Sequence, residues 1–399
     1  MGEMLGEIPE WIKLPIDLQH GFFELAAREA DELSEVIKRI DESLKRLRAT
    51  ILQYIRPFPE QNKRSTIAAV DSSRSPKLSE RLGLKYGVYA TGVVYLRGSK
   101  RRERLEPGVF RCRQALSRED SKYLFDLITI QHERKIAKES IKKCDLIFID
   151  GSFYSFIFPA LRIKKSGRLA RREMEILEDI FNLTEELRDS GKVLGVVKRS
   201  RSRVLGGWML LQSAHSDFIN ILDKHIFSLI MPERTFFEYS DIIGESHPAV
   251  YTRVAYLASL KTIALNELIQ DPLMKSAFIK EAERGIYFPF EDLGLARDGF
   301  ERMKRAQVRF RSGIPPCELE YPSTIDLRDV LSEDGLFNEA TNLPLAIDLV
   351  DSLVNISSKF TEEFVSEIEG RVLEKIAKDN MDIEAIKAFF AFLNPQKPF

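Results

Sequence analysis

Cysteine is scarce: Cys112, Cys144 and Cys317 are the only three in 399 residues, far apart and odd in number. Neither a disulfide framework nor a paired-cysteine zinc site is encoded, and a reducing cytoplasm is the expected compartment. Long apolar runs are missing too. The most apolar segment, LIFIDGSFYSFIFPAL, is interrupted by Asp150, well short of the roughly 18 uncharged residues that a membrane span needs, so no membrane association is expected. The opening MGEMLGEIPEWIKLP carries acids and no long apolar stretch, so no signal peptide is expected there. Neither sign of charge is in excess, with 60 Lys and Arg against 61 Asp and Glu. That balance excludes a globally basic nucleic-acid coat protein and confines any nucleic-acid site to a local basic patch. There is no P-loop, no GxGxxG after a strand, and no Ser-His-Asp or Cys-His arrangement, which disfavours an ATPase or a nicotinamide enzyme. What is present, 44% hydrophobic residues without a low-complexity tract, suffices for a buried core.

The length fits two or three folding units, or one elaborated α/β domain. Over residues 22–55, Phe23, Ala26, Ala30, Leu33, Ile37, Ile40, Leu44, Leu47, Ile51 and Tyr54 recur at alternating three and four with charges between them. The spacing predicts one long helix, stopped by Pro57 and Pro59. It is either a coiled-coil or dimerisation arm or a helix lying on the body of its own subunit. From Ser65 the period changes. TIAAVD (66–71), KYGVYATGVVYLRG (85–98) and VFRCRQAL (109–116) predict three antiparallel strands, with SKRRERLEPG as the turn between the last two. Ser117 and Asp120 resemble a capping box opening a helix over 118–143. DLIFIDGS (145–152) and KVLGVVK (192–198) are continuous apolar runs suited to central buried strands, with a charged helix over 170–190 between them. The order β-β-β-α-β-α-β is that of an α/β fold with an RNase H-like mixed sheet flanked by helices, its first and fourth strands side by side. Further on, helices are expected over 215–231, 250–270, 343–360 and 362–393, and a strand near 306–311. The chain thus divides into an N-terminal helical arm (1–62), an α/β domain (63–358, core about 65–205) and a helical C-terminal extension (359–399).

Asp71 and Asp150 each close an apolar strand before a small residue, in AAVDSS and FIDGS. A carboxylate there is costly unless it is hydrogen-bonded or holds a cation. On adjacent parallel strands the two would face each other at the edge where α/β sheets bind ligands. Alone, either is equally a strand-end turn former. Glu133, three after Ile130 and four before Ala137, falls on or beside the apolar stripe of its helix, where an acid needs a partner; Arg134 or Lys138 would serve as well as a metal. Hard oxygen ligands without a His or Cys cluster suit Mg²⁺ or Mn²⁺, and phosphodiester hydrolysis is the chemistry such a cluster serves.

Basic residues cluster locally. Lys198, Arg199, Arg201 and Arg203 follow the strand 192–198, on the same sheet edge as the two aspartates, where Lys198 could neutralise a phosphate oxygen and the arginines hold a nucleic-acid backbone. Arg97, Lys100, Arg101, Arg102 and Arg104 form a second basic group at the hairpin turn, where they could track a nucleic-acid backbone; for either group a solvated face is the commoner explanation. His132 points about 100 degrees away from Glu133 on a helix, and His247 sits in an expected loop as a further acid, base or ligand candidate.

AAVDSSR, an acid on the next helix, FIDGSF, GVVKRSRS, RFRSGIPPCELEYP and LPLAIDLVDSLVNIS, in that order over about 65–356, resemble the NurA nuclease family. The resemblance implies Mn²⁺-dependent cleavage of DNA with 5′ to 3′ exonuclease and single-strand endonuclease activity, a homodimeric toroid, and a partner, the hexameric HerA-type ATPase, in resection of DNA ends. Residue by residue it implies Asp71, Glu133 and Asp150 as metal ligands, Lys198 as the basic residue after the fifth strand, and Asp351 at the position where the family often has His or Asp on its last helix. Arg74 in AAVDSSR joins Lys198, Arg199, Arg201 and Arg203 as DNA contacts. Two departures stand out: Ser72 replaces the common glycine after the first aspartate, and Asp348 lies three residues before Asp351 on the same helical face. Two other readings compete: a non-catalytic RNase H-like assembly subunit that binds a translocase, and an RNase H-like enzyme acting on RNA or a recombination junction.

Overall fold

A computed structural model describes residues 10–81, 83–113, 116–167, 169–213, 216–260 and 271–376. Its centre is a mixed sheet of ten strands: β1 (Arg56–Pro57), β2 (Ile67–Arg74), β3 (Ser79–Arg81), β4 (Leu84–Arg97), β5 (Lys100–Arg113), β6 (Leu146–Asp150), β7 (Val193–Val196), β8 (Thr235–Glu238), β9 (Met303–Arg309) and β10 (Cys317–Pro322). They run in the order β1-β8-β9-β10-β7-β6-β2-β4-β3, with β5 on the free side of β4. β2, β6 and β7 are parallel and central, and β2 lies directly beside β6, Ile67 opposite Leu146 and Val70 opposite Ile149. The expected side-by-side placement of first and fourth strands is thus what the chain adopts.

The parallel strands are apolar where both faces are covered, over Ile67–Val70, Leu146–Ile149 and Val193–Val196. Side chains alternate along β2: Ala68 and Val70 pack against α2 (Arg118–Ser140), α3 (Ile157–Lys165) and α4 (Arg171–Asp189) through Leu127, Ala137, Ala160, Leu177 and Ile180. Ile67 and Ala69 face the opposite way, onto the helix Leu345–Val354 through Ile347, Val350 and Val354. Ser117 caps α2, its hydroxyl accepting the Asp120 amide at 3.0 Å, as the capping-box reading expected.

The expected basic turn is corrected. KRRERLEP lies inside β5, which pairs with β4 from Arg97↔Lys100 to Leu84↔Arg113, so the turn is only Gly98-Ser99, with Gly98 at φ 56°. An edge strand facing water tolerates a run of charges that otherwise reads as loop. Arg101 pairs with Glu103, and Arg104 with Glu106 and Glu139. The sheet also extends past β7 through β10, β9, β8 and β1, strands whose register was not legible beyond the one expected near 306–311.

The long N-terminal helix α1 spans Ile16–Ile51, starting earlier than the heptad pattern suggested. Its last turns bury Leu47 and Ile51 against α5 (Val204–Ser213) and α6 (Asp223–Ile230), in a cluster with Val204, Leu205, Trp208 and Phe227. Earlier seam residues Phe23, Leu33 and Ile37 stay exposed, and Trp11 stacks on Phe23 with ring centres 5.2 Å apart. At the other end, the helix Ser358–Ile376 docks on β3 and β4, where Glu362 pairs with Arg81 at 2.9 Å. The remainder of the expected 362–393 helix and the last part of the 250–270 helix lie outside the described residues. Among the described residues, no helix is long and apolar enough to cross a membrane.

Candidate metal centre

Asp71 follows the last β2 residue paired with β6, and Asp150 ends β6, so both carboxylates stand at the carboxyl end of the parallel pairing, while β2 runs on against β4 to Arg74. Gly151, at φ 85°, turns the chain away immediately after. The third contributor arrives from above the sheet. Gly92 of β4 lies opposite Asp71, and a Cβ there would stand 2.8 Å from Val354 and 3.3 Å from Val350. Its bare backbone lets the helix Leu345–Val354 settle on the sheet and bring Asp351 to the strand ends. One carboxylate oxygen from each of Asp71, Asp150 and Asp351 lies within 4.8 Å of the others.

Lys198, just beyond β7, reaches into this group. Its Nζ is 3.2 Å from Asp351 Oδ1, 3.3 Å from Asp150 Oδ2 and 3.9 Å from Asp71 Oδ2. Burial, then the charges of Asp150 and Glu133, push the Asp71 carboxyl above the ordinary range, with Lys198 opposing. Burial likewise raises Asp150 against the pull of Lys198. Burial works against the Lys198 ammonium, but Asp150, Asp71 and Asp351 outweigh it and hold its proton on. Three carboxyl groups surround one ammonium, two of them pushed by burial toward the protonated form, and their spacing and donor set fit a hard divalent cation.

Glu133 approaches from the other face. Neighbouring residues of β2 point oppositely, so Ser72 faces α2 while Asp71 faces the helix Leu345–Val354. The Ser72 hydroxyl donates to Glu133 Oε2 at 2.9 Å, and its amide donates to Asp71 Oδ1 at 2.7 Å. The fully buried Arg134 donates to Glu133 Oε1 at 3.0 Å and to the carbonyls of Ser152 and Phe153 at 3.1 and 3.3 Å. Burial raises the Glu133 carboxyl to about 7, against the opposing pull of Arg134. The convergent oxygens therefore come from Asp71, Asp150 and Asp351, with Glu133 joined to Asp71 through Ser72.

The other candidates separate clearly. Asp348 accepts from Asn338 Nδ2 at 2.7 Å and from the Thr341 hydroxyl, holding the preceding loop. His247 is buried, accepts the Ala249 amide on Nδ1 and packs on Phe300 with ring centres 4.0 Å apart. His132 packs on Tyr89. Arg74 is bound within the protein, donating to Asp126 at 2.5 Å and lying over Phe125. Arg199 and Arg201 are exposed, whereas Arg203 is half-buried with its amide bonded to Thr252.

Sequence reasoning missed a buried polar network behind the site. β10 turns Cys317, Leu319 and Tyr321 to the core and Glu318 and Glu320 to the opposite face, nearly free of solvent. Arg305 of β9 donates to both, at 3.0 and 2.7 Å. Glu320 also accepts from the Ser152 hydroxyl and the Phe153 amide, both at 2.8 Å, in the loop that follows Asp150. The strict alternation in CELEYP is the signal that could have revealed it: a strand with acids on one whole face needs buried donors.

A family model for the NurA domain matches residues 65–294, more than half of the chain. Among solved structures, the NurA nuclease from Sulfolobus solfataricus is similar with a TM-score of 0.51 and 16% identity, covering 88% of this chain and 97% of that one. Another NurA crystal structure gives 0.46 at 13% identity over 90% and 99% of the two chains. A NurA structure bound to dAMP and manganese gives 0.33 at 14% identity over 82% and 94%. No curated protein matches the sequence. With the family model spanning the segment that builds the parallel strands, α2 and the Lys198 loop, this chain belongs to the NurA family of nucleases.

Proposed function

We propose that this chain is a DNA nuclease that hydrolyses phosphodiesters with a divalent cation, Mn²⁺ or Mg²⁺, held by Asp71, Asp150 and Asp351, with Glu133 supporting Asp71 through Ser72. The observation that carries the reading is the convergence of three carboxylates, from two parallel strand ends and a helix, around the ammonium of Lys198. A bound cation supplies the means to polarise the phosphate and lower the pKa of water. Lys198 is placed to neutralise a non-bridging phosphate oxygen. Arg199 and Arg201 are free to hold the DNA backbone, a contact that fixes position without reading sequence. The closing test is degradation of linear and single-stranded DNA by the purified chain with Mn²⁺, against Asp71→Ala and Asp150→Ala. Loss of cleavage in both, with folding retained, is expected; full activity in both would refute the reading.

The finer assignment is 5′ to 3′ exonuclease and single-strand endonuclease activity in resection of DNA ends, by a homodimer working with a HerA-type hexameric translocase. Support for an assembly role comes from the apolar seam of α1, on which Phe23, Leu33 and Ile37 are each more than half exposed. A chain that binds a translocase yet leaves DNA intact with Mn²⁺ would instead be a non-catalytic assembly subunit.

A further inference from the structure

We propose that Glu318 is a positioning residue that fixes the register between the exposed arginines after β7 and the acid cluster. This rests on the nuclease reading above. The segment from Lys198 to Arg203 has no helix or strand of its own, yet its side chains alternate strictly. Lys198 turns into the carboxylates, Ser200 and Ser202 are buried, and Arg199 and Arg201 face solvent. The two serines explain the alternation: Ser200 Oγ donates to Glu318 Oε2 at 2.7 Å and Ser202 Oγ to Oε1 at 2.9 Å. The Glu318 carbonyl also accepts the Val197 amide at 2.8 Å, immediately before Lys198.

Glu318 is itself held from behind, by Gln307 Nε2 at 2.8 Å on one oxygen and Arg305 Nη1 at 3.0 Å on the other. Each oxygen thus has one donor from the rigid sheet and one from the irregular segment. A carboxylate buried in mid-sheet is a weak device for stability, since well-packed apolar residues often serve as well. What it adds is a two-handed acceptor that ties a loop to a strand. Because the serines are pinned at every second residue, Arg199 and Arg201 must project outward at a fixed offset from Lys198. A phosphate backbone gripped by those arginines is then presented to the acids in one register, and supporting hydrogen bonds of this kind are what hold catalytic geometry.

The test uses the full chain with Mn²⁺ and a single-stranded oligonucleotide, comparing Ser200→Ala/Ser202→Ala, Glu318→Gln, their combination, and Arg199→Ala/Arg201→Ala. Each is measured for kcat, KM, the salt dependence of DNA binding, and Tm. The serine pair and Glu318→Gln are each expected to lower kcat about tenfold or more at an unchanged salt slope, because the exposed charges remain. The combination should be no worse than the more damaging of the two, since both remove one linkage. Arg199→Ala/Arg201→Ala should instead raise KM and reduce the salt slope by about two. The serine pair deletes only two hydroxyls and leaves Glu318 with Arg305 and Gln307, so it reports even if Glu318→Gln folds poorly. A serine pair within twofold of wild-type kcat, multiplicative losses in the combination, or a salt slope that falls as in the arginine pair overturns the clamp alone. A wild type that cleaves no DNA overturns the nuclease reading and the clamp together.

Discussion

Lys198 Nζ stands 3.2 Å from Asp351 Oδ1, closing a charge cluster whose other members are Asp71 within β2 and Asp150 at the end of β6. The ammonium lies within 3.9 Å of all three carboxylates, so it both balances the acids and competes with whatever they would bind. Replacing Lys198 by Met should therefore tighten Mn²⁺ binding in the absence of DNA, seen by titration calorimetry, while lowering kcat by about 10²-fold through loss of the positive charge at the phosphate. Weaker Mn²⁺ binding in that variant would contradict the competition.

The carboxyls carry protons that a cation must displace. Asp71, Asp150 and Glu133 all have folded values above their ordinary ones, with Glu133 raised from 4.5 to about 7 and Asp71 from 3.8 to about 9. The native chain then holds more protons than the unfolded chain between those limits, so the metal-free protein loses stability as pH rises through that window. Cation binding stabilises the charged forms and releases protons, so Mn²⁺ affinity should rise with pH until Asp71, pushed up to about 9, has lost its proton. Calorimetry in two buffers of different ionisation enthalpy reads the proton release directly; equal apparent enthalpies would count against it.

Gly92 is the spacing element under Asp351. Gly92→Val would drive side-chain carbons into Val354 and Leu105, each only 2.8 Å from a Cβ. Overpacking of this kind costs about 1–3 kcal/mol. We expect a lower Tm together with weaker Mn²⁺ binding, the second because Asp351 is lifted from the strand ends. Asp351→Ala should weaken Mn²⁺ binding without the drop in Tm, separating the two effects.

The two halves of α1 should respond oppositely to mutation. Leu47 is fully buried, and Leu47→Ala should cost about 2–5 kcal/mol in denaturant unfolding. Leu33 is 54% exposed, and Leu33→Ala should change stability by less than about 0.5 kcal/mol. If the seam joins subunits, Leu33→Glu with Ile37→Glu should shift the mass measured by light scattering toward a monomer at unchanged monomer fold.

The parallel centre of the fold was legible because strands buried on both faces leave uninterrupted apolar runs, and an aspartate at the end of such a run has few innocent explanations. The first half of β5 was hidden because the charges of KRRERLEP on an exposed edge strand mimic a loop, whereas its second half, from Val109, read as a strand. Asp351 could be suggested only by resemblance: nothing in a helix that also carries Asp348 says which acid faces the sheet, and the choice depends on Gly92 from a distant strand. Glu318 and Glu320 escaped for a related reason, since their donors Arg305, Gln307, Ser152, Ser200 and Ser202 come from three separate stretches of sequence.

The anchoring of α1 gives the molecule a mechanical lever. From Ser43, whose hydroxyl is bonded to Asp217 at 2.6 Å, to Ile16 the helix runs about 40 Å at its usual rise, so a tilt of roughly 5° at the fulcrum sweeps the tip through about 3 to 4 Å. The fulcrum residues Leu47 and Ile51 press on Val204 and Leu205 of α5, and α5 begins where the segment carrying Lys198 ends. The long helix and the stretch of chain that presents the lysine thus meet at one apolar cluster, which holds Leu47 and Ile51 together with Val204 and Leu205.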